Sequence, residues 1–127
     1  MVTLLATIFG WVMLAVGIAG FIPALTPDGH LLGIFAVGVL HNLVHVVTGL
    51  AALAVAYSRP QQARTFFQVF AVVYGLVAVL GLFHGDAAVL GVLAHNWADF
   101  WLHVAITAFA AWAGFFTSTE RFAVATR

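Results

Sequence analysis

Cysteine is absent from this chain, which excludes disulfides, thiolate zinc ligation and thiol chemistry. Formal charge is nearly as scarce: 6% of the residues are Asp, Glu, Lys or Arg, where an ordinary soluble domain carries roughly 25%. Four acids and four bases cancel, and there is no basic tract. Nucleic acid is thereby excluded as a partner. What remains is apolar: 65% of 127 residues, with a mean hydropathy of +1.14. Such a chain is an integral membrane protein, and its length predicts one domain over residues 1–127.

Apolar runs cover Leu4–Ala24, Leu31–Tyr57, Phe66–Phe83 and Ala87–Phe116, each near or above the roughly 20 residues that cross a hydrocarbon core. The first lacks a basic leader and is long for a signal sequence, so it reads as a retained span. Between the runs stand Thr26-Pro27-Asp28-Gly29, Ser58-Arg59-Pro60-Gln61-Gln62 and His84-Gly85-Asp86, all turn formers and polar groups. The expected fold class is all-α, with four transmembrane helices. Arg59, Arg64, Arg121 and Arg127 fall in the second connection and the C-terminal tail, on one side of such a chain. The positive-inside rule makes that side cytoplasmic, with both termini inside.

An internal repeat is legible. A shift of 58 positions lays Leu32-Gly33 on Leu90-Gly91, His41 on Asp99 and His45 on His103; a shift of 61 lays Phe9, Val12 and Gly20 on Phe70, Val73 and Gly81. The chain thus reads as two helical hairpins, residues 4–58 and 65–117. An even number of spans per copy gives both the same orientation, about a pseudo-twofold axis along the membrane normal. The stretches 32–38 and 90–96 contain glycine and end at Gly38 and Asn96. They read as short interfacial segments, with Asn96 as N-cap and Asp99 as an acid in the first turn. The alternative is that the second and fourth helices are long and tilted.

Two polar motifs interrupt the apolar spans, His41-Asn42-Leu43-Val44-His45 and Asp99-Phe100-Trp101-Leu102-His103. Residues four apart share a helix face, and ionisable groups inside a membrane are the first place to look for function. Three imidazoles and one carboxylate, His41, His45, Asp99 and His103, suit a zinc-like divalent transition metal. A water-filled ligand position would allow hydrolysis. His45 and His103, as symmetry mates, could instead be axial ligands to haem. The competing interpretation is that the cluster only hydrogen-bonds helices together, at on the order of 0.6 kcal/mol per bond. A proton path is disfavoured, since Thr48, Thr107, Gln68 and Tyr74 leave the deeper half too dry. His30 and His84, beside Asp28 and Asp86, read as solvated turn residues.

The remaining residues read as structural. Gly10, Gly17, Gly20 and the runs Ala51–Ala56 and Ala105–Gly114 suit close helix packing. Trp11, Trp97, Trp101 and Trp112 suit core or interface anchoring.

The stretch Leu31–Leu53, with its His-Asn-Leu-Val-His motif and Gly49, and the stretch Asn96–His103, with Ala98-Asp99 and Trp101-Leu102-His103, resemble a family of small four-span bacterial membrane proteins catalogued only as a domain of unknown function. The resemblance takes in the Val69–Leu82 helix and nearly the whole chain. It implies a four-helix fold in a bacterial plasma membrane and carries no activity. Phe100 stands where such proteins often have a polar residue. The expected role is an accessory or binding subunit holding a transition metal or haem, in the bilayer and within a larger complex or homo-oligomer. The alternatives are a purely structural subunit and a zinc-dependent membrane hydrolase; no residue is assigned a catalytic role.

Overall fold

The computed structural model describes residues 1–117. Four helices carry the fold: α1 (Val2–Ala19), α2 (Val39–Ser58), α3 (Ala63–His84) and α4 (Trp97–Ala111), the last extended by a π-helical turn over Trp112–Phe116. All four are long and apolar enough to cross a membrane. The expected all-α class holds. Arg121, Arg127 and Glu120 lie outside the described residues.

Helices pair by sequence neighbourhood, α1 against α2 and α3 against α4. Small residues set the closeness of the first pair. A Cβ at Gly49 would meet the backbone of Leu14 at 2.6 Å, and one at Gly17 would meet Val46 at 2.8 Å. No side chain larger than hydrogen fits there, as expected for membrane helices whose association rests on backbone approach.

The bundle has two unlike ends. At the end formed by the start of α1, the α2–α3 connection and the end of α4, the core is aromatic and alanine-lined. Phe9 makes edge contacts with Phe67 and Phe70 and stacks on Phe109, among Ala6, Ala52, Ala56, Ala110 and Ala113. Arg64 and Gln68 there donate to the carbonyl of Gly114, and Arg64 also to Phe115. They satisfy carbonyls freed where the helix widens. At the other end lie the long connections and the starts of α2 and α4, where the polar residues gather.

Helices α2 and α4 begin later than the apolar runs, immediately after Gly38 and Asn96. The preceding stretches are neither helical nor featureless. His30–Leu31 (β1) and Phe35–Ala36 (β2) pair antiparallel, with His30 opposite Ala36 and Leu31 opposite Phe35. A matching bridge joins Val89 to Leu93. Each tip turns on a left-handed pair, Leu32 (φ 55) with Gly33 (φ 72) and Leu90 (φ 53) with Gly91 (φ 72). Two successive positive φ values are the signature of a type I′ hairpin turn. The turn hydrogen bonds recur too: Gly33 and Gly91 donate to His30 and Ala88, while Ile34 and Val92 donate to Leu31 and Val89.

Candidate functional site

The start of α4 is fixed by its own sequence. Asn96 Oδ1 accepts from the amide of Asp99 at 3.0 Å, and Asp99 Oδ2 accepts from the amide of Asn96 at 3.0 Å, a reciprocal capping box. Asp86 Oδ1 takes the amide of Trp97. Asp99 Oδ2 also accepts from the amide of Ala36 at 3.0 Å, and Asn96 Nδ2 donates to the carbonyl of Ile34 at 2.8 Å. The β1–β2 hairpin is thereby clipped onto α4. Asp99 is 1% exposed, and two backbone amides neutralise part of its desolvation cost.

Helix α2 begins without a side-chain cap, and His41 in its first turn reaches across instead. Its Nδ1 donates to the carbonyl of Ala94 at 2.8 Å. Its Nε2 lies 2.9 Å from Nε2 of His45, one turn on. For uncharged rings these contacts fix the tautomers. A carbonyl only accepts, so His41 carries its hydrogen on Nδ1 and presents a lone pair at Nε2. His45 must then donate through Nε2, which leaves its Nδ1 bare. That nitrogen is buried with no partner, as is Nδ1 of His103.

His103 approaches from α4, its ring 6.0 Å from that of His41 and 5.6 Å edge-on from Tyr74. Ligand atoms of His41, His45 and His103 lie within 4.8 Å of one another, and all three side chains are buried. The structure therefore brings three of the four expected residues together. It places the fourth, Asp99, at the helix cap, with its carboxylate engaged by loop amides and within electrostatic range of His41 and His95.

The three rings open on a cavity of about 240 Å³ also lined by Tyr74, Ala94 and His95. His95, read from the sequence as an interfacial residue, is 4% exposed. It donates through Nδ1 to the carbonyl of Gly85 and presses its Nε2 edge on Gly81, where a Cβ would collide with the ring. Its ring stacks 6.2 Å from that of His103. His95 thus holds the 85–96 connection against α3 and walls the cavity. Gly81 before a turn and a downstream histidine were the available signals, and neither names the contact. His30 and His84, expected as solvated turn residues, instead open β1 and end α3; both are half-buried and bonded to local carbonyls, of Asp28 and Leu80.

A three-imidazole set with a free fourth position is the donor pattern of open zinc sites. His41 also has the usual orienting bond of a metal-ligating histidine, from its far nitrogen to a backbone carbonyl. Tetrahedral ligation at about 2.0–2.1 Å puts ligand nitrogens roughly 3.4 Å apart, so a metal would draw His103 inward. Haem fits poorly. A cavity of about 240 Å³ falls below even the roughly 300–1,000 Å³ of ordinary small-molecule sites.

Four apolar helices enclosing a buried histidine cluster define a multi-pass helical membrane protein. The chain belongs to the family described as Domain of unknown function (DUF4383), whose model matches residues 3–116. No curated protein and no solved structure matches it.

Proposed function

We propose that this protein is a small membrane binding subunit that holds one divalent transition metal, zinc-like in its preferences, through His41, His45 and His103. The observation that carries this is the convergence of three buried imidazoles within 4.8 Å, with buried nitrogens of His45 and His103 left without partners. Unpaired buried acceptors are costly, and a cation that uses these rings offsets that cost. Asp99 acts at a distance, fastening the β1–β2 hairpin to the start of α4.

The purely structural reading has its own support, because the His41–His45 and His41–Ala94 bonds already tie α2 to the 85–96 connection. A hydrolase built on metal-bound water would need the fourth position open to a substrate, and remains the third reading. In the preferred form the chain is one domain of two parallel hairpin repeats in a bacterial inner membrane. Both termini are then cytoplasmic and the cluster lies in the outer half, working within a larger complex or a homo-oligomer.

The test is elemental analysis of the full chain purified in detergent without added metal, with an absorption spectrum. Near-stoichiometric zinc or a neighbouring metal, lost together in His41→Ala, His45→Ala and His103→Ala, supports the reading. No metal, and none taken up on titration, returns the cluster to a helix fastener. A Soret band would instead replace the metal with haem.

A further inference from the structure

One imidazole belongs to two structures at once. His41 Nδ1 donates to the carbonyl of Ala94 at 2.8 Å, while its Nε2 faces His45 inside the cluster at 2.9 Å. Ala94 lies in the 85–96 connection, and with Val89, Leu93 and His95 it lines the cavity on which the three rings open. That connection is therefore one wall of the site.

It is also a largely self-contained loop. His95 Nδ1 donates to the carbonyl of Gly85, and the amide of Trp97 donates to Asp86 Oδ1, so its two ends are fastened to each other. It leaves α3 at Gly85, with φ 58 and ψ −121, a conformation that a side chain would disfavour. Among the described residues, the bond from His41 is the one hydrogen bond that ties residues 85–95 to the first helical hairpin.

We propose that the 85–96 connection is a latched gate to the histidine cluster, and that a bound metal closes the latch through His41. Such a latch rests on the metal reading, to which it adds a path for the ion and a response to its arrival. The tautomer that the Ala94 carbonyl selects, with hydrogen on Nδ1 and a lone pair on Nε2, is the one a metal needs. His41 thus binds without rearranging. A cation on Nε2 polarises the ring and makes Nδ1–H a charge-assisted donor, so the bond to Ala94 strengthens when the site is full. With the site empty the bond is an ordinary neutral one, and the wall opens more often.

The corresponding clasp on the other loop has no such dependence. Asp99 accepts from the amide of Ala36, and its carboxylate is engaged at the α4 cap rather than in the cluster. Metal should therefore be felt at one hairpin tip and not at its repeat mate.

The experiment is amide hydrogen exchange of the full chain in detergent, with and without one equivalent of Zn2+, followed by timed release of the ion to excess chelator. Zinc should slow exchange at Gly91 and Val92 by roughly fivefold, the difference between a neutral and a charge-assisted bond. The matching amides of Gly33 and Ile34 should change by less than about twofold. Loosening the wall without touching a ligand should speed release. Gly81→Ala, whose Cβ displaces the ring of His95, and Val89→Ala, which trims a side chain 2% exposed, should each release zinc roughly fivefold faster. Gly75→Ala, on the same helix but against Thr107, should release at the parent's rate. Equal slowing at both tips, or none with zinc bound, overturns the latch, and unchanged release in both wall variants overturns the gate. Zinc bound without these responses leaves the metal site standing, whereas a chain that takes up no zinc sinks both.

Discussion

The amide of Ala36 donates to Asp99 Oδ2 at 3.0 Å across 63 positions of sequence. Its counterpart is His41, whose Nδ1 donates to the carbonyl of Ala94 at 2.8 Å. Ala36 and Ala94 stand 58 positions apart, as do His41 and Asp99. Each helix start therefore clasps the other hairpin's connecting loop at the corresponding residue. One clasp uses an acceptor and the other a donor, which is why the two positions hold different residue types.

Asp99 is expected to matter for stability more than for ligand binding. Asp99→Asn keeps an oxygen for the amides of Ala36 and Asn96, so it should cost about 1 kcal/mol or less, chiefly the charge assistance. Asp99→Ala removes the cap and leaves two amides unpaired, costing about 1–3 kcal/mol. Thermal unfolding in detergent checks both. An alanine variant as stable as the parent would show that the Ala36 clasp does not hold the hairpin.

Metal content should follow the imidazoles and ignore the acid. With Asp99→Asn folded, its metal content is expected to equal the parent's, whereas His103→Ala loses the ligand supplied by α4. Loss of metal in Asp99→Asn at unchanged stability would place the carboxylate in the coordination shell.

Much of this was legible in the residues. Four apolar runs gave four helices, and the Asn96 and Asp99 spacing gave a capping box, because both signals are local. The approach of His41, His45 and His103 followed from laying His45 on His103, a matter of register. The partners of Asp99 and His41 were not legible. Both are backbone groups, Ala36 N and Ala94 O, and alanine gives no sign of which peptide it exposes. The hairpin tips were missed for a similar reason. Leucine at 32 and 90 carries no left-handed signal, and only the following glycine hints at a turn.

Gly81 and Gly75 lie on one helix and should respond oppositely to alanine. A Cβ at Gly81 collides with the ring of His95, whereas one at Gly75 meets Thr107 Cγ2 at 3.4 Å, an ordinary contact. Gly81→Ala should cost about 1–3 kcal/mol by overpacking and loosen the 85–96 connection. Gly75→Ala should be neutral or gain about 0.5–1 kcal/mol from helix propensity. Unfolding midpoints of the two variants decide the matter. Equal effects would mean that His95 does not pack on Gly81.

Leu32 and Leu90 are the clearest sites for stabilisation. Both hold φ near 50 in the first central position of a type I′ turn, a region where a leucine side chain crowds its own backbone. Their side chains are 65% and 68% exposed, so little packing is lost by changing them. Asparagine followed by the existing glycine is the preferred pair for this turn. Leu32→Asn and Leu90→Asn should each raise stability by about 0.5–1 kcal/mol, and the double variant by nearly the sum, as for two separate turns. Denaturant unfolding in detergent reads the gain. A loss of similar size in both would instead mean that the two leucines anchor the hairpin tips in the bilayer surface, with the membrane offsetting the backbone strain.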